Sequence, residues 1–466
     1  MNLRPYSKYK DSGVPWLGQV PKDWVNYPGL AVLKEKQVRN TGLKEKTVLS
    51  LSYGKIKVKS MDKMHGLVPE SFETYQIVEP GDIIIRATDL QNDKTSLRIG
   101  KVKDKGIITS AYLRLKPQPT FNKDYAYTLL HGLDLMKVFY GMGSGLRQNL
   151  SWIDFKRMPF FLPPLPEQNQ IVRYLDWKTV QIAKFIKDKK RMIELLKEQK
   201  QVIINDAVTG KIDVTTGKPY PKYKDSGAEW LGQVPDGWDV RKFSTLSRVI
   251  RGASPRPASD SRYFNGSYMS WVTVGEVTKD NNPYLQSTET FLTEAGARNS
   301  RFIQNGTLII TNSGATLGVP KILKIDVCAN DGIVAYVNLS NLVNKLFAYY
   351  YLSTLTTRIR DELRQGGTQP NLNTNMIKEM YCPIPAKREQ ILIVSEIEKQ
   401  NKLINLVISR TEREIGLMQE YRDRLIADVV TGKLDVRGIA VPEVLEELST
   451  DDADEEPDEI ENEEEA

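Results

Sequence analysis

Residues Glu167–Val214 read EQNQIVRYLDWKTVQIAKFIKDKKRMIELLKEQKQVIINDAVTGKIDV, and a related sequence returns at Glu389–Val436 as EQILIVSEIEKQNKLINLVISRTEREIGLMQEYRDRLIADVVTGKLDV. The two copies align without a gap at an offset of 222, and 18 of their 48 positions are identical. Apolar residues recur at heptad spacing through most of each copy, which predicts a long helix. Gly210 and Gly432 follow the two heptad patterns, and a glycine commonly ends a helix. The chain is therefore expected to contain two matched long helices.

The heptad stripes of the two predicted helices share one register and the same polar interruptions. In the first helix the stripe contains Leu175, Thr179, Ile182, Ile186, Lys189, Ile193, Leu196, Lys200, Ile203 and Ala207. In the second helix it contains Ile397, Asn401, Ile404, Ile408, Thr411, Ile415, Met418, Arg422, Leu425 and Val429. A seam held over about four heptads is typical of a coiled coil. We expect the two copies to form an antiparallel intrachain coiled coil, and pairing with another chain is the alternative that this pattern leaves open.

A second repeat lies upstream of the helices. Tyr9–Val25, YKDSGVPWLGQVPKDWV, returns at Tyr223–Val240 as YKDSGAEWLGQVPDGWDV, at an offset of 214. Both copies place two tryptophans among glycines and prolines, which indicates an irregular segment that docks aromatic side chains onto another part of the molecule. The chain is therefore a tandem duplication, in which each half has a YKDSG segment, a globular block and a long helix. This organisation predicts a pseudo-two-fold molecule.

The two globular blocks share little sequence and mix both kinds of secondary structure. Alternating and β-branched runs predict strands such as Thr47–Tyr53, Gly106–Leu115 and Ser270–Val277, while helical periodicity favours helices at Tyr125–Gly141 and Asn344–Arg364. We therefore assign the chain to the α+β class, with two β-rich domains separated by the paired helices. The predicted domains are residues 1–26 and 215–240 for the YKDSG segments, 27–160 and 241–384 for the blocks, 161–214 and 385–436 for the spacer helices, and 441–466 for an acidic tail.

The net charge of +6 is unevenly distributed along the chain. Residues 441–466 carry 14 Asp and Glu and no Lys or Arg, whereas residues 1–440 carry 65 basic against 45 acidic side chains. This excess of basic residues in residues 1–440 indicates a polyanionic partner, most simply nucleic acid. The alternative is a basic surface that only solvent covers. The tail has too much charge to bury a core, so we expect it to be disordered.

The composition argues against several classes of protein. No run of about 18 apolar residues is present, so we expect no membrane span. Only Cys328 and Cys382 occur, which excludes a disulfide framework and favours a cytoplasmic location. Two histidines, His65 and His131, do not make a usual zinc site with these cysteines, and the TGK sequence at residues 209–211 lacks the upstream glycine of a phosphate loop. We therefore expect no catalytic, metal or cofactor site in this chain.

The repeated YKDSG…WLGQVP sequences, the PPLPEQ sequence at Pro163–Gln168 and the helix ends AVTGKIDV and VVTGKLDV resemble the specificity subunit of type I restriction–modification systems. The resemblance covers residues 5–440 and leaves the acidic tail outside. It implies that each block is a target recognition domain that reads one half of a split, asymmetric DNA sequence. It also implies that the helices set the gap and hold two methylation subunits, which restriction subunits then join. The chain itself would have no catalysis, since S-adenosylmethionine, ATP and magnesium belong to the partner subunits.

Basic and amide side chains in the polar runs of each block are the candidates for contact with double-stranded DNA. In the first block we predict Arg39, Lys55, Lys57, Lys59, Arg86, Arg98, Arg147 and Gln148. In the second block we predict Arg251, Arg256, Arg262, Arg298, Arg301, Asn312, Lys321, Arg364, Gln365 and Gln369. Some of them lie in glycine-rich loops, GMGSGLRQNL and LRQGGTQPNL, whose backbone can approach phosphates or base edges closely. The alternative for these loops is that they only close each block onto its helix.

Two other functions are compatible with the sequence: a standalone DNA-modifying enzyme, and a coiled-coil scaffold that binds proteins only. The enzyme would transfer a methyl group or cleave DNA without any partner. The scaffold would show no salt-sensitive affinity for DNA, whereas a protein that neutralises phosphates loses affinity steeply as salt rises.

Overall fold

The structure, a computed structural model, describes residues 3–59, 71–93, 95–142, 149–258, 260–314, 316–363 and 372–442. The chain forms two compact units, of which unit 1 contains Met1–Arg191 with Thr411–Ala466, and unit 2 contains Met192–Arg410. Each long helix is therefore divided between the units. Each unit combines one block and one YKDSG segment with the start of one long helix and the end of the other.

Unit 1 is built around short strands and one medium helix. Its strands are β1 (Tyr9–Asp11), β2 (Gln19–Pro21), β3 (Val25–Pro28), β4 (Leu33–Glu35), β5 (Leu49–Ser52), β6 (Lys55–Val58), β7 (Gln76–Val78), β8 (Ile83–Ile85), β9 (Ile99–Lys101), β10 (Gly106–Ile108), β11 (Leu113–Pro117) and β12 (Pro159–Leu162). Its helices are α1 (Gly29–Val32), α2 (Lys123–Leu135), α3 (Trp152–Arg157) and the first part of α4 (Leu165–Val208). The central sheet has the order β4-β11-β8-β9 and is antiparallel throughout. All three residues of β8 are buried, as expected of a strand covered on both faces.

Unit 2 has larger sheets and a different strand order. Its strands are β13 (Tyr223–Asp225), β14 (Gln233–Pro235), β15 (Asp239–Lys242), β16 (Arg248–Arg251), β17 (Phe264–Val272), β18 (Tyr284–Leu285), β19 (Phe291–Leu292), β20 (Arg301–Ile303), β21 (Leu308–Thr311), β22 (Pro320–Leu323), β23 (Val327–Ala329), β24 (Ile333–Val337) and β25 (Tyr381–Ile384). Its helices are α5 (Phe243–Leu246), α6 (Val274–Thr278), α7 (Glu294–Arg298), α8 (Lys345–Thr354), α9 (Thr356–Arg358), α10 (Thr374–Glu379) and the first part of α11 (Lys387–Val430). One sheet runs β16-β24-β21-β22-β18 and another runs β19-β17-β23-β20.

The parts of the two units that repeat in sequence also repeat in structure. The β1–β2 and β13–β14 hairpins have the same register, with Tyr9 opposite Pro21 and Tyr223 opposite Pro235. Each block is closed by a strand pair, β3–β12 in unit 1 and β15–β25 in unit 2. Directly inside these pairs, the backbone N–H of Gly29 donates to Met158 O, and that of Phe243 donates to Met380 O, both at 2.9 Å. The frame is thus duplicated closely, while the sheets that it encloses differ.

The two long helices pair antiparallel, so the α+β class and the intrachain coiled coil are confirmed. In unit 1, Lys189 Nζ of α4 lies 2.6 Å from Glu414 Oε2 of α11. In unit 2, Lys200 Nζ donates to Asn405 Oδ1 at 3.2 Å, so the α11 partner falls in number as the α4 residue rises. Every position of both heptad stripes is buried or half-buried. The polar interruptions at Lys189 and Lys200 are therefore interhelical contacts in the seam.

Glu167 and Glu389, at the starts of the two helices, hold the YKDSG segments in place. In unit 1, Glu167 Oε1 accepts from the Tyr6 hydroxyl at 2.8 Å and from Trp24 Nε1 at 2.9 Å. In unit 2, Glu389 Oε1 accepts from the Tyr220 hydroxyl at 2.6 Å and from Trp238 Nε1 at 2.9 Å. These contacts show what the second tryptophan of each YKDSG segment, Trp24 or Trp238, docks onto.

The other end of each docked tryptophan reaches a terminal glycine. Gly432, which ends α11, has φ +76°, and a Cβ there would lie 2.4 Å from Pro21 Cδ and 3.1 Å from the Trp24 ring. Gly210 at the end of α4 has the same φ and the same distances to Pro235 and Trp238. A glycine is needed at both positions, because the backbone is left-handed and the tryptophan packs directly against it.

The glutamine that follows each glutamate connects the long helix to its block. Gln168 Oε1 accepts from the backbone N–H of Asn122 at 2.9 Å, and the Asn122 side chain caps α2. Gln390 Oε1 accepts from the N–H of Asn344 at 2.7 Å, and Asn344 caps α8. Both glutamines are buried, and the amide nitrogen of each also donates to two backbone carbonyl oxygens, those of Thr120 and Pro163 for Gln168 and those of Leu342 and Pro385 for Gln390. Each side chain thus satisfies three backbone groups away from water. In each unit, the Glu-Gln dipeptide therefore connects the long helix to both the YKDSG segment and the block.

Two predicted strands are wrong in part. The predicted strand Gly106–Leu115 is divided into β10 and β11, because residues 109–112 form a turn in which the Ala111 N–H donates to Thr109 Oγ1. The predicted strand Ser270–Val277 ends at Val272, and Val274–Thr278 is the helix α6. Valine and threonine are enriched in strands, but this preference depends strongly on context, and the tertiary context overrides it at Val274–Thr278.

Candidate nucleic-acid interface

The structure divides the predicted DNA-contacting residues into three groups. Those on the surface are Arg39, Lys57, Lys59, Arg251, Arg256, Arg262, Arg298 and Arg301, and those that are half-buried are Lys55 and Arg86. Those that are buried are Arg98, Asn312 and Lys321. Five predicted residues lie outside the described residues, and their contact with DNA stays a prediction: Arg147, Gln148, Arg364, Gln365 and Gln369.

The surface lysines of unit 1 come from one hairpin. Strands β5 and β6 pair with Ser52 opposite Lys55 and Ser50 opposite Lys57. Cross-strand partners point to the same face of a sheet, so hydroxyl and ammonium groups alternate along one side. Leu49 and Leu51 lie on the other side and are buried. The hairpin thus presents hydrogen-bond donors on an apolar support, which suits contact with phosphates and base edges.

Arg98 is a core residue, which corrects the prediction that it contacts DNA. Its side chain is fully buried, and Nη1 donates to Thr88 O at 2.7 Å. Nη2 donates to Asp89 O at 3.2 Å and to Asp93 O at 2.5 Å. Nε donates to the Tyr140 hydroxyl at 3.1 Å. The guanidinium therefore organises the polar loop around Asp89–Asp93 from the inside, and Arg98 acts on this surface only by fixing its shape.

Replacing Arg98 by methionine is expected to lower the free energy of unfolding of unit 1 by about 3–5 kcal/mol, because several carbonyl oxygens around the buried guanidinium lose their donor. Arg86→Met is the matched control in the same loop. Its half-buried guanidinium forms a 3.7 Å ion pair with Asp93, and such surface pairs contribute about 0–1 kcal/mol. Chemical denaturation measures both variants. An Arg98→Met protein that kept its stability but lost DNA affinity would contradict the structural role.

Lys321 and Asn312 are also core residues rather than DNA contacts. Lys321 Nζ pairs with the carboxylate of Asp280 and also donates to Asp280 O at 3.0 Å. Asn312 accepts from Leu372 N through its backbone oxygen at 2.8 Å, and its Nδ2 lies 3.4 Å from Leu372 O. A buried cation needs a partner, and Lys321 meets that need inside the fold.

Three of the surface arginines of unit 2, Arg256, Arg262 and Arg298, are paired with neighbouring carboxylates. Arg256 Nη2 lies 3.0 Å from Asp331 Oδ2, and Arg262 Nη2 lies 2.6 Å from Asp260 Oδ2. A hydrogen bond from Ser254 and the nearby charge of Arg256 lower the pKa of Asp331, so it is ionised at neutral pH. Exposed pairs of this kind contribute about 0–1 kcal/mol, so a DNA phosphate can replace the carboxylate at little cost. The pairs hold the arginines in place without blocking them.

Among the described residues of the blocks, sequence reasoning missed four exposed aromatic side chains, Tyr53, Tyr268, Phe291 and Phe302, of which the two tyrosines are the most exposed. Tyr53 is 57% exposed at the tip of the β5–β6 hairpin, and Tyr268 is 59% exposed on β17. Tyr268 lies where the β17–β19 register shifts between Phe264 and Met269. Tyr53 lies within a predicted strand and Tyr268 lies just before another. Aromatic residues in such positions usually belong to the core. The glycine that follows Tyr53 was the one available signal of a turn.

The described part of the chain contains no cluster of three or more His, Cys, Asp or Glu side chains that could hold a metal ion. Within the same residues, every helix is too short or too polar to cross a membrane.

Comparison with known proteins finds similarity to type I restriction enzyme specificity subunits. Residues 235–415 match the family described as the type I restriction modification DNA specificity domain. The chain is 21% identical to the putative type I restriction enzyme MjaX specificity subunit of Methanocaldococcus jannaschii over 440 residues, covering 90% of this chain and 96% of that protein. It is also 21% identical to the EcoR124I/EcoR124II specificity subunit of Escherichia coli, covering 66% of this chain and 72% of that protein.

Solved structures agree with this fold. A chain from a study of complex assembly and conformational transition of the type I R-M system superposes with a TM-score of 0.64 at 16% identity, covering 89% of this chain and 99% of that one. The HsdS subunit of Thermoanaerobacter tengcongensis superposes with a TM-score of 0.50 at 14% identity, with 89% and 98% covered. The chain is therefore similar over most of its length to type I restriction enzyme specificity subunits, and it shares the fold of these solved structures.

Proposed function

We propose that this chain is the DNA sequence-recognition subunit of a type I restriction–modification complex, in which each block reads one half of a bipartite, asymmetric target. The observation that carries this proposal is the combination of one repeated frame with two unlike blocks. The same closing hydrogen bond and the same glutamate anchor hold sheets of different strand order. A frame of this kind presents two readers in equivalent ways while each reader has its own sequence preference.

The long helices offer a surface for partner subunits. Large apolar side chains point to solvent on both helices, among them Leu195 and Val202 of α4 and Leu403, Leu406 and Leu417 of α11. Exposed apolar groups on a helix that already buries its seam are typical of a second interface. These residues support the docking of two methylation subunits, with restriction subunits added to that assembly. The chain itself has no catalysis in this proposal, and S-adenosylmethionine, ATP and Mg²⁺ act in the partners.

Exchanging one block for that of a relative is expected to change one half of the methylated sequence and leave the other half unchanged. The structure sets the boundaries: Phe243–Met380 in unit 2 and, as the matched exchange, Gly29–Met158 in unit 1. Both exchanges leave the closing strand pairs of the frame intact. Methylation mapping of genomic DNA from cells that express each hybrid with the methylation subunits measures the outcome.

Three results would contradict the proposal. A change in both halves after either exchange would show that the blocks do not read separately. Methyl transfer by the purified chain without partners would indicate an enzyme. Equal affinity of the complex for DNA at low and high salt would indicate a scaffold that does not contact phosphates.

A further inference from the structure

The turn between β5 and β6 has an unusual residue at its first position. Tyr53 has φ +46° and Gly54 has φ +77°, and Ser52 pairs with Lys55 across them. Two consecutive positive φ angles in a two-residue hairpin define a type I′ turn, which normally takes Asn-Gly or Gly-Gly. A bulky side chain in the left-handed region is strained. Tyr53 is also 57% exposed, so burial of its ring does not compensate for that strain. Folding alone does not account for a tyrosine at this position.

The hairpin that carries Tyr53 is held firmly against the rest of unit 1. A Cβ on Gly54 would lie 3.0 Å from Leu97 Cβ, and one on Gly100 of β9 would lie 2.5 Å from Leu51 Cδ1. The turn and the inner face of the hairpin therefore pack closely on β9. A strained residue persists when its surroundings fix the backbone in this way. The Tyr53 side chain is thus presented from a preorganised position.

We propose that the β5–β6 hairpin enters the major groove of duplex DNA and that Tyr53 contacts base edges in the half-site read by unit 1. The major groove is wide enough for a two-stranded β-ribbon. Ser50 and Lys57 lie on the face opposite the buried leucines, where hydroxyl and ammonium groups can reach phosphates and bases. The tyrosine hydroxyl donates and accepts a hydrogen bond, and the ring gives apolar contact to a thymine methyl group. This inference rests on the proposed function and names a residue that determines its specificity.

Replacing Tyr53 by glycine separates recognition from folding, because glycine suits the turn better than tyrosine does. The complex with its methylation subunits is tested on a duplex that contains the mapped target and on a scrambled duplex of equal length. We expect the thermal unfolding midpoint to stay the same or rise. We expect affinity for the target to fall at least about tenfold, and affinity for the scrambled duplex to stay unchanged. Methylation mapping should show relaxed bases in the half assigned to block Gly29–Met158 only.

Leu43→Gly is the matched control. Leu43 lies in the same block, has φ +51° and is 47% exposed, so its replacement relieves the same kind of backbone strain at another place. This variant should keep the target affinity and the methylation pattern of the wild type. Tyr53→Phe locates the contact further, since a loss equal to that of Tyr53→Gly assigns it to the hydroxyl and a retained preference assigns it to the ring.

The outcomes distinguish the two proposals. If Tyr53→Gly keeps the wild-type ratio of target to scrambled affinity and the wild-type methylation map, the role of Tyr53 is wrong and the proposed function stands. If Leu43→Gly loses recognition to the same extent, the effect comes from the backbone of the block and Tyr53 has no special role. If the wild-type complex itself does not prefer the target, the proposed function fails and the inference fails with it.

Discussion

Glu167→Ala is expected to release the first YKDSG segment from unit 1 and to lower the free energy of unfolding of that unit by about 3 kcal/mol. The carboxylate accepts from Tyr6 and from Trp24, at 2.8 and 2.9 Å, and hydrogen bonds to a charged group contribute about 1.5–3 kcal/mol each. Trp24 is 1% exposed, so its indole N–H would be left without an acceptor in the core. Burial and the nearby Glu167 carboxylate both raise the pKa of Tyr6, which keeps its hydroxyl a donor at neutral pH.

The chain contains its own matched control for this variant. Glu389 makes the same two contacts in unit 2, to Tyr220 at 2.6 Å and Trp238 at 2.9 Å. Hydrogen exchange measured by mass spectrometry should therefore show faster exchange in residues 3–26 for Glu167→Ala, and in residues 219–240 for Glu389→Ala. Unchanged exchange in residues 3–26 of Glu167→Ala would show that the carboxylate does not hold the segment. Faster exchange of both segments in either variant would mean that the two anchors are not independent.

The duplicated frame could be predicted from the sequence because its residues repeat at fixed offsets. The heptad stripe predicted the seam, and all its positions are buried or half-buried. The repeated Glu-Gln dipeptide was visible as a pattern, but its role was not. Its partners Tyr6, Trp24 and Asn122 lie 161, 143 and 46 residues away, and no local spacing connects them to the helix.

The residues of the candidate interface were harder to predict, for a physical reason. Arg98 lies in a polar, loop-like run, and an arginine that contacts DNA can have the same sequence context. Its partners are mainly backbone carbonyl oxygens, such as those of Thr88 and Asp89. Every residue has a backbone carbonyl, so the residue types do not identify these acceptors. Lys321 has its acidic partner 41 residues away, at Asp280. Tyr53 was overlooked because positive φ angles are read from the backbone and not from residue type.

Inserting seven residues into both long helices is expected to lengthen the gap between the two half-sites and to leave both half-sequences unchanged. The insertion belongs after Arg191 and after Arg410, where the two compact units divide. The Lys189–Glu414 pair of unit 1 and the Lys200–Asn405 pair of unit 2 lie on either side of these positions and are preserved. Seven residues are two helical turns of a coiled coil, so the buried stripe continues through the insertion.

The size of this effect follows from helix geometry. Seven residues add about 10 Å of helix at about 1.5 Å per residue. Duplex DNA rises about 3.4 Å per base pair, so the gap should grow by about three base pairs. Insertion into α4 alone is the control, because it offsets Lys200 from Asn405 and breaks the seam, so that variant should lose stability. Methylation mapping measures the gap, and an unchanged gap in a stable double insertion would show that the helices do not set the distance between the two readers.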